Sequence, residues 1–257
     1  MLVSAQSGSA ITLEQLRQAA ERGDLNALVN MGYIYRNRLS GVRQDKIEAL
    51  KWYMRAAERG HADSQAYVGH AYLTGNGIEK DKLKAAVWLE KAAAKGDTSA
   101  QFNLGVMYEQ PLFATGDEAT GVPRNYAKAA DLYRAAAVKG HAKAQLNLAT
   151  MYEKGIGVPQ DNVKALEWYL KSAANGYADA QVLVAYGYAN GSLVPKDTVR
   201  AYAWYNIAAA MATGEDGFAS KKEAEKERDE LGKTMTPQQL ADGQKLSTEL
   251  FAKMPKK

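Results

Sequence analysis

The sequence contains no cysteine. This excludes disulfide bridges, thiolate zinc sites, iron–sulfur clusters and cysteine nucleophiles. It leaves the compartment open, because a chain without cysteine folds equally well in oxidising and reducing surroundings. There are only three histidines, His61, His70 and His141, which leaves little material for a metal centre or an acid–base pair. We therefore expect neither a metal site nor a cofactor.

Long apolar runs and a strong charge of one sign are also missing. No run of about 18 apolar residues occurs, so no membrane-spanning helix is predicted. The formal net charge is +4, from 33 Lys and Arg against 29 Asp and Glu, which falls short of the basic stripe of a nucleic-acid-binding protein. We expect no nucleic-acid partner and no membrane insertion.

The usual catalytic motifs are absent as well. The sequence has no Ser-x-x-Lys, Gly-x-Ser-x-Gly or His-Glu-x-x-His, and neither a P-loop nor an EF-hand loop. A reaction needs a nucleophile, an acid or base, or a metal held in a pocket. We therefore assign no catalytic residue and predict that the protein is not an enzyme.

The chain does contain an internal repeat. Three series of residues recur in phase over five copies, at spacings of 36 or 37 residues with a single spacing of 44. Agreement between independent series is the signature of a repeat architecture. The series are Ala27, Ser64, Ala100, Ala144, Ala180; Tyr35, Tyr72, Tyr108, Tyr152, Tyr188; and Trp52, Trp88, Leu132, Trp168, Trp204.

Each copy has the pattern of two helices. In the fourth copy, Ala144, Leu148 and Tyr152 share one helical face. A turn over residues 155–159 contains two glycines and a proline, and Asp161 is placed to cap the second helix. A small residue inside each first helix is predicted to let the partner helix approach closely; these are Gly32, Gly69, Gly105 and Ala149.

The repeat also explains features that superficially suggest ligand sites. His61 and His141 hold the same repeat position, 80 residues apart, so we interpret them as turn residues that cannot share a metal. The glycine-rich segments 75–77 and 155–157 are interpreted as helix–helix turns and not as phosphate or calcium loops. The tryptophan series is predicted to form the core between repeats.

The repeated pattern is Ala-x-x-x-Leu-Gly-x-x-Tyr, then Gly-x-Gly-Val-x-x-Asp-x-x-Lys-Ala-x-x-Trp, then Ala-Ala-x-x-Gly, and it resembles the Sel-1-like repeat (SLR) family over about residues 24–212. The resemblance implies an all-α fold, a right-handed α/α superhelical solenoid of paired antiparallel helices related to tetratricopeptide repeats. Copies two and four match nearly every position of the pattern.

Three copies depart from this pattern. Copy one carries the loop 38–41 and is one residue longer, and copy three has eight extra residues near Pro111–Glu118 with Leu132 in place of tryptophan. Copy five has Leu193 in place of the second loop glycine, and Gly187 before its tyrosine.

The two ends have the pattern of capping helices. Thr12 opens a capping box, and Pro237 is suited to the first turn of a last helix with an apolar side at Leu240, Leu246, Leu250 and Phe251. Ends covered in this way predict a monomer. The predicted organisation is a disordered tail 1–11, a capping helix 12–23, repeats 24–60, 61–96, 97–140, 141–176 and 177–212, and capping helices with a tail at 213–257.

The compartment is predicted only from the first residues. Val3-Ser4-Ala5 resembles the small-residue end of a signal peptide, and the alternative is an ordinary frayed N-terminus. A periplasmic or secreted location is favoured over a cytoplasmic one on this basis.

Binding is predicted on the first helices, which line the concave face of a solenoid. The positions three and six residues after the first alanine of each copy are rotated off its buried side. Amide side chains there can bond to an extended peptide, and tyrosine adds contact area at a low entropic cost; the alternative is that the asparagines stabilise the superhelix. The candidate partner-binding residues are Asn30, Tyr33, Tyr67, His70, Asn103, Asn147 and Tyr186.

The insertion in copy three is a second candidate binding element. Leu112 and Phe113 lie at its tip, and an exposed phenylalanine on a long loop can contact a partner. The alternative is that Phe113 covers the core where Leu132 replaces the larger tryptophan.

We therefore expect a non-enzymatic scaffold or adaptor that binds a peptide or a partner protein on the concave face. The resemblance implies a role in bacterial signalling, envelope or secretion processes. Two alternatives stay open from the sequence: a hydrolase of cell-wall or β-lactam-like substrates, and a structural solenoid that assembles with itself.

Overall fold

The computed structural model describes residues 11–110, 123–211 and 221–254. Regular structure in these ranges is entirely α-helical, as the repeat pattern predicts. The helices are α1 (Leu13–Glu21), α2 (Leu25–Asn37), α3 (Lys46–Glu58), α4 (Ala62–Thr74), α5 (Lys82–Ala94), α6 (Thr98–Glu109), α7 (Tyr126–Ala137), α8 (Ala142–Lys154), α9 (Asn162–Ala174), α10 (Ala178–Asn190), α11 (Thr198–Met211), α12 (Lys221–Gly232) and α13 (Pro237–Ala252).

The helices fall into two compact units, Met1–Arg124 and Asn125–Lys257. In the first unit the helices pack in chain order: α1 on α2, α2 on α3, α3 on α4, α4 on α5, and α5 on α6. In the second unit α7 to α11 do the same, and α11 also packs on both α12 and α13. Helix pairs that stack in sequence order make the all-α solenoid predicted from the sequence.

Glycine in the first helices allows close approach of the second helices, which confirms the prediction. A Cβ atom placed on Gly32 would lie 2.9 Å from the ring of Tyr53, and one on Gly69 would lie 2.7 Å from Leu89. Glycine inside a helix costs about 1 kcal/mol relative to alanine. The close packing of each pair offsets that cost.

The tryptophan series is only partly in the core. Trp52 is 5% exposed and Trp204 is 4% exposed, and both belong to clusters of buried side chains. Trp88 and Trp168 are half-buried, and the Nζ atoms of Lys91 and Lys171 lie 4.2 Å and 4.0 Å from their ring centres. The indole rings of Trp88 and Trp168 therefore lie at the edge of the core, and each makes a cation–π contact with a lysine.

The terminal helices begin where the sequence predicts. Thr12 and Thr236 each form a capping box, with Gln15 and Gln239 as the third helical residue. Such caps satisfy backbone N–H groups that the first turn leaves without an intrahelical partner. Residues 1–10, which include Val3-Ser4-Ala5, lie outside the described residues.

The charged helix α12 has two Lys–Glu pairs at i, i+4 spacing, and one of them forms an ion pair. Lys221 and Glu225 are 3.8 Å apart. Lys226 and Glu230 do not pair with each other, because Lys226 pairs with Glu227 and Glu230 pairs with Lys233. All these side chains lie towards solvent, where several geometries of similar energy compete.

Helix α13 docks through two small buried residues and through Leu250 of its predicted apolar side, which packs against a cluster of buried side chains. Its buried positions are Gly243 and Ser247, whereas Phe251 of the predicted apolar side is 50% exposed. A Cβ atom on Gly243 would lie 2.8 Å from the ring of Tyr202, and Ser247 accepts a hydrogen bond of 3.0 Å from Asn206. The bulky tyrosine on α11 requires a small residue opposite it.

Candidate functional site

The predicted partner-binding residues lie on the first helix of each repeat, distributed over both units. Tyr33 and Tyr186 are 52% and 54% exposed, and both belong to the exposed large hydrophobic residues of the described ranges. His70 is also exposed, and the others are half-buried. We call these positions the first-helix face: Asn30, Tyr33, Tyr67, His70 and Asn103 in the first unit, and Asn147 and Tyr186 in the second.

In the first unit this face contains a cluster that the sequence did not predict. The rings of Tyr53 and Tyr67 lie 4.4 Å apart between centroids, tilted by 43°. The Cζ atom of Arg36 lies 5.3 Å from the centre of the Tyr67 ring, within the range of a cation–π contact. We call Arg36, Tyr53 and Tyr67 the tyrosine–arginine cluster.

The cluster forms because a second-helix side chain reaches the first-helix face. Tyr53 belongs to α3 and packs against Gly32 of α2, so its hydroxyl comes up beside Arg36 and Tyr67. Burial raises the pKa of Tyr53, and the positive charge of Arg36 opposes that shift. Burial likewise raises the pKa of Tyr67. Both phenols stay protonated at neutral pH and keep a hydrogen to donate.

In copy four the equivalent second-helix tyrosine meets a residue of opposite charge. Tyr169 on α9 donates a hydrogen bond of 2.7 Å to Glu153 on α8, and its hydroxyl lies 2.9 Å from the Thr150 hydroxyl. Burial raises the pKa of Tyr169. Glu153 follows the repeat tyrosine as Arg36 does in copy one. The position after the repeat tyrosine thus holds a cation in copy one and an anion in copy four.

A sequence signal for these contacts was available. Tyrosine recurs directly after the tryptophan position of the second helix, at Tyr53, Tyr133, Tyr169 and Tyr205. A residue that recurs at one position of a repeat indicates a contact that recurs with it. These tyrosines lie on second helices, whereas the predicted binding residues all lie on first helices.

The histidines of the turns are helix caps, which confirms their interpretation as turn residues. The Nδ1 atoms of His61 and His141 accept the backbone N–H groups of Ser64 and Ala144, each at 3.2 Å. Burial and the nearby Lys143 lower the pKa of His141, which keeps that acceptor neutral. The described residues include no group of side chains suited to hold a metal.

Two hollows lie at the ends of second helices. One of about 480 Å³ is lined by Trp168, Lys171 and Asn175 together with neighbouring turn residues. One of about 310 Å³ is lined by Arg55, Arg59 and the turn that follows α1. Polar groups there are used within the fold, since Arg55 donates to the carbonyl of Ala20 at 3.0 Å. We assign no ligand to either hollow.

Leu112 and Phe113 lie outside the described residues. Over the described ranges, no helix combines the length and the apolar character needed to cross a bilayer.

A comparison with protein-family models matches the chain to the family described as Sel1 repeat. Five copies match, at residues 25–61, 62–97, 98–141, 142–177 and 178–212. The chain belongs to the Sel1 repeat family. Proteins of this family are generally scaffolds for protein–protein interaction and typically have no enzymatic activity.

Solved structures of Sel1 repeat proteins resemble the whole described fold. The c5321 protective antigen of uropathogenic Escherichia coli, which displays an SLR fold, is 32% identical with a TM-score of 0.75. The match covers 93% of this chain and 48% of that one. A Sel1 repeat protein from Oxalobacter formigenes is 28% identical with a TM-score of 0.69, over 96% of this chain and 89% of that one.

A curated relative matches over a short stretch. The ERAD-associated E3 ubiquitin-protein ligase component HRD3A of Arabidopsis thaliana is 34% identical over 62 residues. The chain spans 9% of the length of that relative, and the stretch is 24% of this chain. The likeness concerns the repeat and not the whole plant protein.

Proposed function

We propose that this Sel1 repeat protein is a non-enzymatic scaffold that holds an extended segment of a partner protein on its first-helix face. The segment would lie across α2, α4 and α6 in the first unit, or α8 and α10 in the second. Half-buried Asn103 and Asn147 offer amide groups to a peptide backbone. Exposed tyrosines supply contact area with few rotatable bonds.

The observation that carries this proposal is the exposure of Tyr33 and Tyr186. More than half of each side chain faces solvent, at 52% and 54%. Large aromatic side chains left on a rigid helical surface are typical anchors of protein interfaces. Their recurrence at equivalent repeat positions on α2 and α10 supports a shared role.

The cellular setting is a further part of the proposal. We propose a role in bacterial signalling, envelope or secretion processes. The bacterial origin of both compared structures supports this setting.

The test replaces exposed residues on this face and compares them with exposed residues elsewhere. The face variant is Tyr33→Ser, His70→Ser and Tyr186→Ser. The control variant is Ile47→Ser, Leu83→Ser and Val163→Ser, whose side chains are 58%, 45% and 63% exposed at the starts of second helices. Partners captured from the native host by the full chain are identified, purified, and titrated by calorimetry against all three proteins.

We expect the face variant to bind an identified partner about tenfold more weakly or worse, since each interface anchor contributes about 1–2 kcal/mol. The control variant should bind like the unmodified protein. Circular dichroism checks that both variants keep their helix content. A partner that still binds the face variant and is lost by the control variant would contradict the proposal.

A further inference from the structure

We propose that the tyrosine–arginine cluster, together with the exposed Tyr33, binds a carboxylate of the partner segment. This inference rests on the proposed function and gives the partner its chemistry: an extended peptide with an acidic group over α2 and α4. The flanking peptide residues would pack against the rings of Tyr33 and Tyr67.

Arg36 is a cation held in place without an acidic partner. Its guanidinium lies over the Tyr67 ring at 5.3 Å and beside the Tyr53 phenol. Arg36 is exposed, and within the described part of the chain no carboxylate forms an ion pair with it. A guanidinium presents five N–H donors in a planar fork that fits a carboxylate.

The surrounding charge favours an anion. The segment 36–46 contains four basic residues and a single acidic one, Asp45. The basic residues are Arg36, Arg38, Arg43 and Lys46. The Asp45 carboxylate is already engaged, because it accepts the backbone N–H groups of Ile47 and Glu48 at 2.9 Å each. Uncompensated positive charge attracts an acidic segment over about 8 Å at physiological salt.

Nearby acids on the adjoining helices do not neutralise this site. Glu48 on α3 pairs with Lys51 at 3.0 Å. Asp63 lies in the first turn of α4, one turn before Tyr67, where its charge complements the helix N-terminus. Neither carboxylate is within ion-pair distance of Arg36.

The competing explanation is structural. Arg36 lies in the last turn of α2, where a cation stabilises the helix through its dipole. A dipole role predicts a loss of stability without any change in ligand preference. The test therefore measures ligand preference as a ratio, which a uniform loss of folded protein does not alter.

The probes are three pools of synthetic nine-residue peptides whose flanks are random but contain no Asp or Glu. The first has a central glutamate and an amidated C-terminus, the second has a central glutamine and an amidated C-terminus, and the third has a central glutamine and a free C-terminal carboxylate. Each pool is passed over the immobilised full chain, its Arg36→Gln variant, and the control Arg17→Gln. Arg17 is an arginine on α1 whose side chain is 49% exposed.

We expect the unmodified protein to retain one of the carboxylate pools about three- to tenfold better than the all-amide pool, as for a charge-assisted contact at an exposed site. Preference for the first pool assigns a side-chain carboxylate, and preference for the third assigns a terminal one. The preference should vanish with Arg36→Gln and persist with Arg17→Gln. Arg36→Lys should restore part of it, because it keeps the charge without the planar fork.

The other outcomes overturn the inference in distinguishable ways. If all pools bind equally and the Tyr33, His70 and Tyr186 variant loses them all, the carboxylate site is wrong and the proposed function stands. A preference that survives Arg36→Gln also overturns the site. If the unmodified protein retains no pool better than that face variant does, peptide binding on this face fails, and the carboxylate site fails with it.

Discussion

At the scale of single residues, the repeat turns show how strongly one position can be constrained. Gly157 has a φ of +71°, and a Cβ atom there would collide with the backbone carbonyl of Tyr126 at the start of α7. Gly140 has a φ of +88°, yet no heavy atom of the described residues, its two chain neighbours aside, lies within 4 Å of the place its Cβ would take. A residue with a Cβ atom would be strained by the left-handed backbone at either position, but only at position 157 would it also collide with a neighbouring helix.

We predict that Gly157→Ala destabilises the protein more than Gly140→Ala. The Gly140 variant pays only for backbone strain, about 1 kcal/mol. The Gly157 variant must also move the turn away from α7, which adds about 1–3 kcal/mol. Urea unfolding of both variants measures the difference, and an equal loss would show that the turn does not depend on close contact with α7.

At the scale of elements, the ends of second helices hold the turn of the preceding repeat. Arg59 donates to the carbonyl of Gly23, Lys95 donates to Gly60, and Asn175 donates to Gly140. Arg55 adds bonds to the carbonyls of Ala20 and Glu21, at 3.0 Å and 3.1 Å. Helix α1 is thus fastened by side chains of α3, because its last carbonyls have no partner within the helix.

We predict that Arg55→Met loosens α1 while the rest of the first unit stays folded. Methionine replaces the apolar part of the Arg55 side chain, which lies beside Trp52. It removes the two hydrogen bonds from the guanidinium to α1, which contribute about 1.5–3 kcal/mol to the docking of that helix. Amide hydrogen exchange in α1 should accelerate about tenfold or more.

Arg17→Met is the matched control for this variant. Arg17 lies on α1 and contacts Glu21 at 3.6 Å near the surface, so its removal should leave exchange in α1 within about a factor of two. Equal acceleration in both variants would contradict the fastening role of Arg55.

At the scale of the whole molecule, stability is distributed along a stack of neighbours. In the second unit α8 packs on α9, α9 on α10, and α10 on α11, while α12 and α13 pack on α11. Proteins built in this way behave as a sum of repeat stabilities and nearest-neighbour contacts. A local defect is therefore expected to weaken its own repeat most.

We predict that Leu148→Ala costs about 2–5 kcal/mol, because the side chain is fully buried. Hydrogen exchange should accelerate most in α8 and α9, and less in α11 to α13. Val163→Ala, at a side chain 63% exposed, should change exchange little. A uniform acceleration from α7 to α13 would mean that the second unit opens as one cooperative block.

The sequence by itself determined the repeat architecture. Because each copy repeats the same small and aromatic residues, one local pattern specifies the helix pair five times, and the turn pattern is kept in copies two and four. The capping boxes at Thr12 and Thr236 were predictable because each depends on residues only three positions apart. Neighbouring copies can bury their apolar faces only by stacking, so the solenoid follows.

Only the tertiary structure decided which side chains meet on the surface. Arg36, Tyr53 and Tyr67 belong to three different helices, and their contact depends on how deeply α3 packs against Gly32. The docking of α13 through Gly243 and Ser247 depends likewise on the ring of Tyr202 across the interface. Periodicity states which face of a helix is buried, but the distance and rotation between packed helices are set by side-chain volumes on both sides.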